Sequence, residues 1–477
     1  MAKKKSSQKM SRRQALKVSA GSAAALGAAQ VFFDAEALAE DKPNPGRKRF
    51  CLYIHMGSSC GIATGLVQPP KAGEWPKGFF RRGSNEGAAN PLLNQHTQAG
   101  SLVFHDYLKF MPNIADQMCL VSGTPQSLSH AQARALQITG GKEFGYSSTW
   151  PMAVAQNQRT DAYRNPLVVT GHEKANTVLD VTGISAGSVD QFKSITQDST
   201  AISQTHMDPL WAVLKNRFER KSLGSVELDE GLGSNAEFQL ETLTKGLKVL
   251  NDADKDIRDL TAALSPTQVN QLVAGCAEKT EIARAANATL RNRLILAGVL
   301  AKHGIASGMS FTAAREDRHQ GGADVFTARV AAGTWALVNL FWQWIKKEGL
   351  ADDTLVIVGQ EFARSPYNNN FQDVQIMNSQ GRAETVRCPG RDHGLFHGLA
   401  FLNGKVPSQG RVGMIIDNLT PVGTTNAKGK VDASILGYTS ENIVGSMLMR
   451  VYPELFPTER IVRKFWPSFR EIGPILT

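Results

Sequence analysis

No CxxC pair occurs in this chain, so neither a zinc ribbon nor a dithiol redox motif is on offer. The five cysteines, Cys51, Cys60, Cys119, Cys276 and Cys388, permit two bridges and leave at least one thiol over. Cys51 and Cys119 fall inside apolar, strand-like segments and are expected as small buried hydrophobes. Cys60 and Cys388 sit in Gly- or Pro-containing loops, where a bridge or a metal role stays open. Beyond the amino terminus no stretch approaches the roughly 18 apolar residues of a membrane helix, which argues against a membrane span in the mature chain. A large charge of one sign is missing too. The formal charge is +10, but residues 1–39 carry seven Lys/Arg against Asp34 and Glu36, leaving 46 basic and 41 acidic residues in the remainder. That excess is small and scattered, and no basic patch interleaved with aromatics appears, which excludes nucleic acid as the expected partner.

What stands at the amino terminus is a targeting pattern. Lys3, Lys4, Lys5 and Lys9 precede Ser11-Arg12-Arg13-Gln14-Ala15-Leu16-Lys17, a modest Ala/Gly/Val/Leu run, and Ala37-Leu38-Ala39 as a small-x-small cleavage site. This resembles a twin-arginine export signal. It predicts cleavage after Ala39, a periplasmic or secreted mature chain, and the twin-arginine export machinery as a partner. That route carries proteins already folded.

The remaining 40–477 are expected as a single α/β domain. Short apolar segments near 49–56, 118–121, 166–170, 305–311 and 354–358 read as strands, and amphipathic helical patterns fall between several of them. The repeated strand–loop–helix–strand order predicts a mostly parallel sheet between helices, joined by right-handed crossovers. Residues 64–104, rich in Gly, Pro and Asn, read as a surface excursion. From 236 to 302 the pattern turns helical, with Ser265-Pro266 as a cap-and-Pro break, and is expected as an inserted helical hairpin.

The chemistry gathers at strand ends. Thr354-Leu355-Val356-Ile357-Val358 is apolar without alternation, as a strand covered on both faces is, and Gly359 to Pro366 follows at its carboxyl end with Glu361 and Arg364. Open α/β sheets place ligands at that edge. A long loop is expected next, leading to Arg391-Asp392-His393-Gly394 and His397. Upstream, Asp317-Arg318-His319 follows the strand at 305–311. Each His alone is an ordinary hydrogen-bonded loop residue, but several Asp/His sets after successive strands point to a metal site. Ser127-Leu128-Ser129-His130 lies where a helix begins, so a serine there is either the N-cap or a nucleophile beside an anion-favouring helix end.

In that order these motifs resemble the twin-arginine-exported, sulfatase-like family of unknown function in the alkaline phosphatase superfamily. The resemblance covers most of 49–455 and is strongest over 305–404. It implies an alkaline-phosphatase-like α/β fold and a metal-dependent hydrolase of small anionic phosphate or sulfate esters. Asp317, His319, Glu361, Asp392, His393 and His397 become metal ligands, Ser129 the nucleophile and Arg364 an anion clamp. The mixed N/O set favours zinc as the divalent metal, with manganese or iron also fitting. Where relatives offer an Asp after the first strand, this chain has Cys60. That departure leaves room for a non-catalytic periplasmic binding or assembly protein on a degenerate hydrolase scaffold.

Overall fold

Among the described residues, eight strands build the central sheet: β1 Phe50–His55, β2 Met118–Gly123, β3 Leu167–Thr170, β4 Thr182–Ser185, β5 Gly308–Thr312, β6 Thr354–Gly359, β7 His397–Leu402 and β8 Gly410–Val412. Their order is β8-β2-β7-β6-β1-β5-β3-β4. Seven run the same way and β7 alone is antiparallel to its neighbours β2 and β6. The five strand segments expected from sequence all belong to this one sheet. The computed structural model describes residues 48–57, 63–68, 91–139, 149–158, 167–170, 182–202, 246, 248–313, 319, 323–377, 380–394, 396–415 and 421–477, at some positions by backbone alone. The expected leader, Cys60 and Asp317 lie outside the described residues.

Every residue of β1, β2, β6 and β7 is buried, which explains why β1 and β6 are apolar without alternation. Leu52, Ile54, Val356 and Val358 join a core with helices α7 (Ala288–Lys302) and α8 (Ala323–Lys347). Tyr53 faces the other layer, where its hydroxyl donates to Gln137 of α1 (His130–Thr139) at 2.8 Å. Helix α2 (Trp150–Asn157) packs there as well. A Cβ added at Gly308 of β5 would meet Pro151 of α2 at 2.7 Å and the Cys51 carbonyl oxygen at 2.5 Å. Glycine lets that helix approach the sheet.

Between β4 and α7 lie α3 (Val189–Ile202), α4 (Asp254–Ala263), α5 (Pro266–Leu272) and α6 (Lys279–Ala285). The Ser265-Pro266 break is the start of α5, where the serine hydroxyl accepts from Gln268 N–H. Four helices rather than a two-helix hairpin therefore occupy 254–302. The last of them, α7, is core, with Leu290, Leu294, Leu296, Val299 and Leu300 buried.

Two further segments differ from expectation. The surface excursion predicted for 64–104 is partly interior, since Leu66, Val67, Leu102 and Phe104 are buried and Thr64 O accepts from Trp335 Nε1 of α8 at 2.8 Å. The loop predicted after Arg364 is instead a long antiparallel hairpin, Arg364–Met377 with Ala383–His393. Its base brings Arg364 opposite His393 and returns the chain to the carboxyl edge of the sheet, where His397 of β7 pairs with Gly123 at the end of β2.

Candidate metal centre

The sheet's parallel strands all deliver their carboxyl ends to one side. His55 ends β1, His130 opens α1 after β2, His319 follows β5, and Glu361 comes two residues after β6. His393 arrives from the hairpin, held against that edge by backbone hydrogen bonds from Ala363 N to Phe396 O (2.6 Å) and from Gly394 N to Ala363 O (2.7 Å).

Three of these side chains converge. One ligand nitrogen from each of His130, His319 and His393 lies within 4.8 Å of the other two, a spacing that can hold a metal ion, and all three residues are half-buried. The rings of His130 and His393 meet edge to face, with centroids 4.4 Å apart, and those of His319 and His393 are 5.0 Å apart. Phe362, fully buried, packs under two of them at 4.9 Å from His130 and 4.3 Å from His393. An apolar floor of this kind lowers the local dielectric and shields the nitrogens from water.

Two of the three rings are fixed from behind. His393 Nδ1 donates to Leu128 O at 2.6 Å, and His130 Nδ1 donates to Glu361 Oε1 at 2.5 Å. With Nδ1 committed, Nε2 is the nitrogen that His130 and His393 offer a metal, the arrangement in which ligating histidines commonly occur. Neutral imidazoles suit zinc and its first-row neighbours better than magnesium or calcium.

Glu361 is the buried anion of the site. Its second oxygen lies 3.6 Å from His55 Nε2 and 3.4 Å from Arg134 Nε. Burial alone would raise its pKa, but His55, His130 and Arg134 outweigh that and hold the carboxyl below its usual range. Behind it, the Tyr53 hydroxyl lies 3.4 Å from His55 Nδ1.

Of the residues expected from sequence, His319 and His393 are in the group of three, and Glu361 sits one bond behind it. His397 is elsewhere: it opens β7, is 1% exposed, and burial lowers its pKa to about 4. For Arg364 and Asp392 the backbone alone is described, and it puts both at the hairpin base beside His393. Ser129 is exposed at the first turn of α1, directly before His130. Ser127 braces that turn, accepting from Ser129 N–H at 3.1 Å and donating to Gln132 at 2.9 Å. The readings from sequence missed His130, His55 and Arg134. The rule that selected His319, a polar residue soon after a parallel strand's carboxyl end, applies equally to His130.

No family model and no curated protein matches this sequence. Among solved structures, one titled "Crystal structure of Ps i-CgsB in complex with k-i-k-neocarrahexaose" is similar over 77% of this chain and 68% of that one, at 12% identity and a TM-score of 0.27.

Proposed function

We propose that the chain is an exported, metal-dependent hydrolase of small phosphate or sulfate esters on an alkaline-phosphatase-like scaffold, with zinc the favoured metal and manganese or iron also fitting. The observation that carries this reading is the convergence of His130, His319 and His393 at the carboxyl edge of the sheet. A metal held there would polarise a phosphoryl or sulfuryl oxygen and make a nearby hydroxyl more acidic. Ser129, exposed one residue before His130 at a helix start, is the nucleophile of this proposal. Arg364, opposite His393 in the hairpin register, is the group that offsets charge growing on the ester.

The test is elemental analysis of the purified chain, followed by assays on aryl phosphate and aryl sulfate. His393→Ala should lose metal and turnover together, whereas Ser129→Ala should keep the metal and lose turnover by about 10²-fold or more. A chain that retains no divalent metal sinks the proposal. The runner-up, a non-catalytic binding or assembly protein, draws support from Glu361, whose carboxylate is engaged by His55, His130 and Arg134 and is not itself a member of the group of three. Bound metal with no turnover on either ester would select it.

A further inference from the structure

Resting on the metal-centre reading, we infer that Glu361 is a positioning residue of that centre and not one of its ligands. Its buried carboxylate fixes His130 as the Nδ1–H tautomer and aims Nε2 at the ion. Three observations converge on this role. The first is geometric: Glu361 Oε1 is 2.5 Å from His130 Nδ1, while the group whose ligand atoms approach one another comprises the three histidines and leaves this carboxylate out.

The second is electrostatic. Glu361 is 1% exposed, and Oε2 already faces Arg134 at 3.4 Å and His55 at 3.6 Å. Moving the carboxylate onto an ion would strip these partners and leave a guanidinium half-buried beside them without its anion, a costly exchange. The third is rigidity. The peptide before Glu361 is pinned from two sides, because Gln137 Nε2 donates to Gln360 O and Thr64 Oγ1 donates to the Gln360 side chain at 3.0 Å. Gln137 is in turn held by the Tyr53 hydroxyl at 2.8 Å, and its backbone carbonyl by Trp150 Nε1 at 2.7 Å. A carboxylate mounted on so fixed a turn orients a ring and does not swing between roles.

The two roles give different thermodynamic cycles. A ligand contributes to binding independently of His130, whereas a residue acting through His130 contributes nothing once that ring is gone. The experiment is titration of the metal-free full chain with Zn(II) and, for its visible spectrum, Co(II). Four proteins are compared: wild type, Glu361→Gln, His130→Ala and the double variant. Wild type should bind one ion. E361Q should keep that stoichiometry and the Co(II) band shape, and bind about 10- to 100-fold more weakly. In the His130→Ala background the same change should have no further effect. Glu361→Asp, which keeps the charge but withdraws it from Nδ1, should weaken binding as E361Q does, and it provides the reading if E361Q does not fold. An equal loss from E361Q in both backgrounds makes Glu361 a ligand and overturns the inference. Unchanged affinity in E361Q and E361D also overturns it, with the metal-centre reading left standing. A wild-type chain that binds neither ion overturns that reading and this inference with it.

Discussion

At the scale of single residues, the chain uses histidine for opposite purposes a few positions apart. His393 sits half-buried at the site, whereas His397 is packed inside the sheet between β2 and β6, with its pKa brought down to about 4 by burial. The folded state therefore binds the His397 proton more weakly than the unfolded chain, whose histidine titrates near 6.5. Stability linked to this residue is fully present above pH ~6.5 and is lost as pH falls toward 4, to an extent of about 3 kcal/mol. Denaturant unfolding at pH 7 and pH 4.5 should show it, and His397→Gln should flatten that slope. Glu361 adds a loss at still lower pH, because its carboxyl is held below the unfolded value by its three basic neighbours. Sequence separated these roles only in part. His319, His393 and Glu361 were legible because each follows a segment that reads as a strand or carries a polar cluster. His55 was not, since a histidine at the end of Phe50-Cys51-Leu52-Tyr53-Ile54 looks the same whether it fills a core or backs a carboxylate. His130 was hidden by a different ambiguity, as the first residue of a helix whose preceding serines drew the chemical reading.

At the scale of elements, the parallel strands announced themselves because burial on both faces demands unbroken apolar residues, and the hairpin did not because it has little apolar alternation to show. Only Val374 and Ile376 of its first strand are described as buried, among Pro366, three consecutive asparagines and the charged Arg364 and Asp373. Two-stranded ribbons are marginal alone. This one is fastened near its tip by Glu278, whose backbone N–H donates to Met377 O at 3.0 Å and whose carboxylate accepts from Met377 N and Arg329 Nε. Arg329 also donates to Gln375 O at 2.8 Å. Glu278→Ala should cost roughly 2–3 kcal/mol through the loss of these charge-assisted bonds, and limited proteolysis should cut within 364–393 before the rest of the chain. The sheet has its own tight point at Gly308, where any Cβ meets the Cys51 carbonyl and Pro151. Gly308→Ala should cost about 1–3 kcal/mol in denaturant melts by wedging α2 from β5, an effect of crowding rather than of lost contacts.

At the scale of the whole molecule, the basic excess is concentrated before residue 40, and the compact unit that carries the sheet and the site runs from Pro45 to Thr477. Among the described residues no helix is long and apolar enough to cross a membrane. The proposed export signal, ahead of a unit with buried, interlocked strands, would make a specific demand on the route. The sheet joins residues far apart in sequence, β1 at 50–55 with β5 at 308–312 and β6 at 354–359, so it forms only after most of the chain has been made. If folding and any metal loading are finished inside the cell, only a route that carries folded proteins can move the product, and Arg12-Arg13 is the feature that would select it. Replacing both arginines with lysine should leave uncleaved precursor in the cytoplasmic fraction, folded and protease-resistant, while the unaltered chain appears outside, shortened after Ala39. A second arm separates the route from the address. Gly308→Val, which crowds the centre of the sheet while leaving the signal intact, should also be retained, because a folded-protein route rejects a chain that has not closed its core. Export of the arginine-to-lysine variant at the normal level would remove the twin-arginine assignment, and with it the reason to place this chemistry outside the cytoplasm.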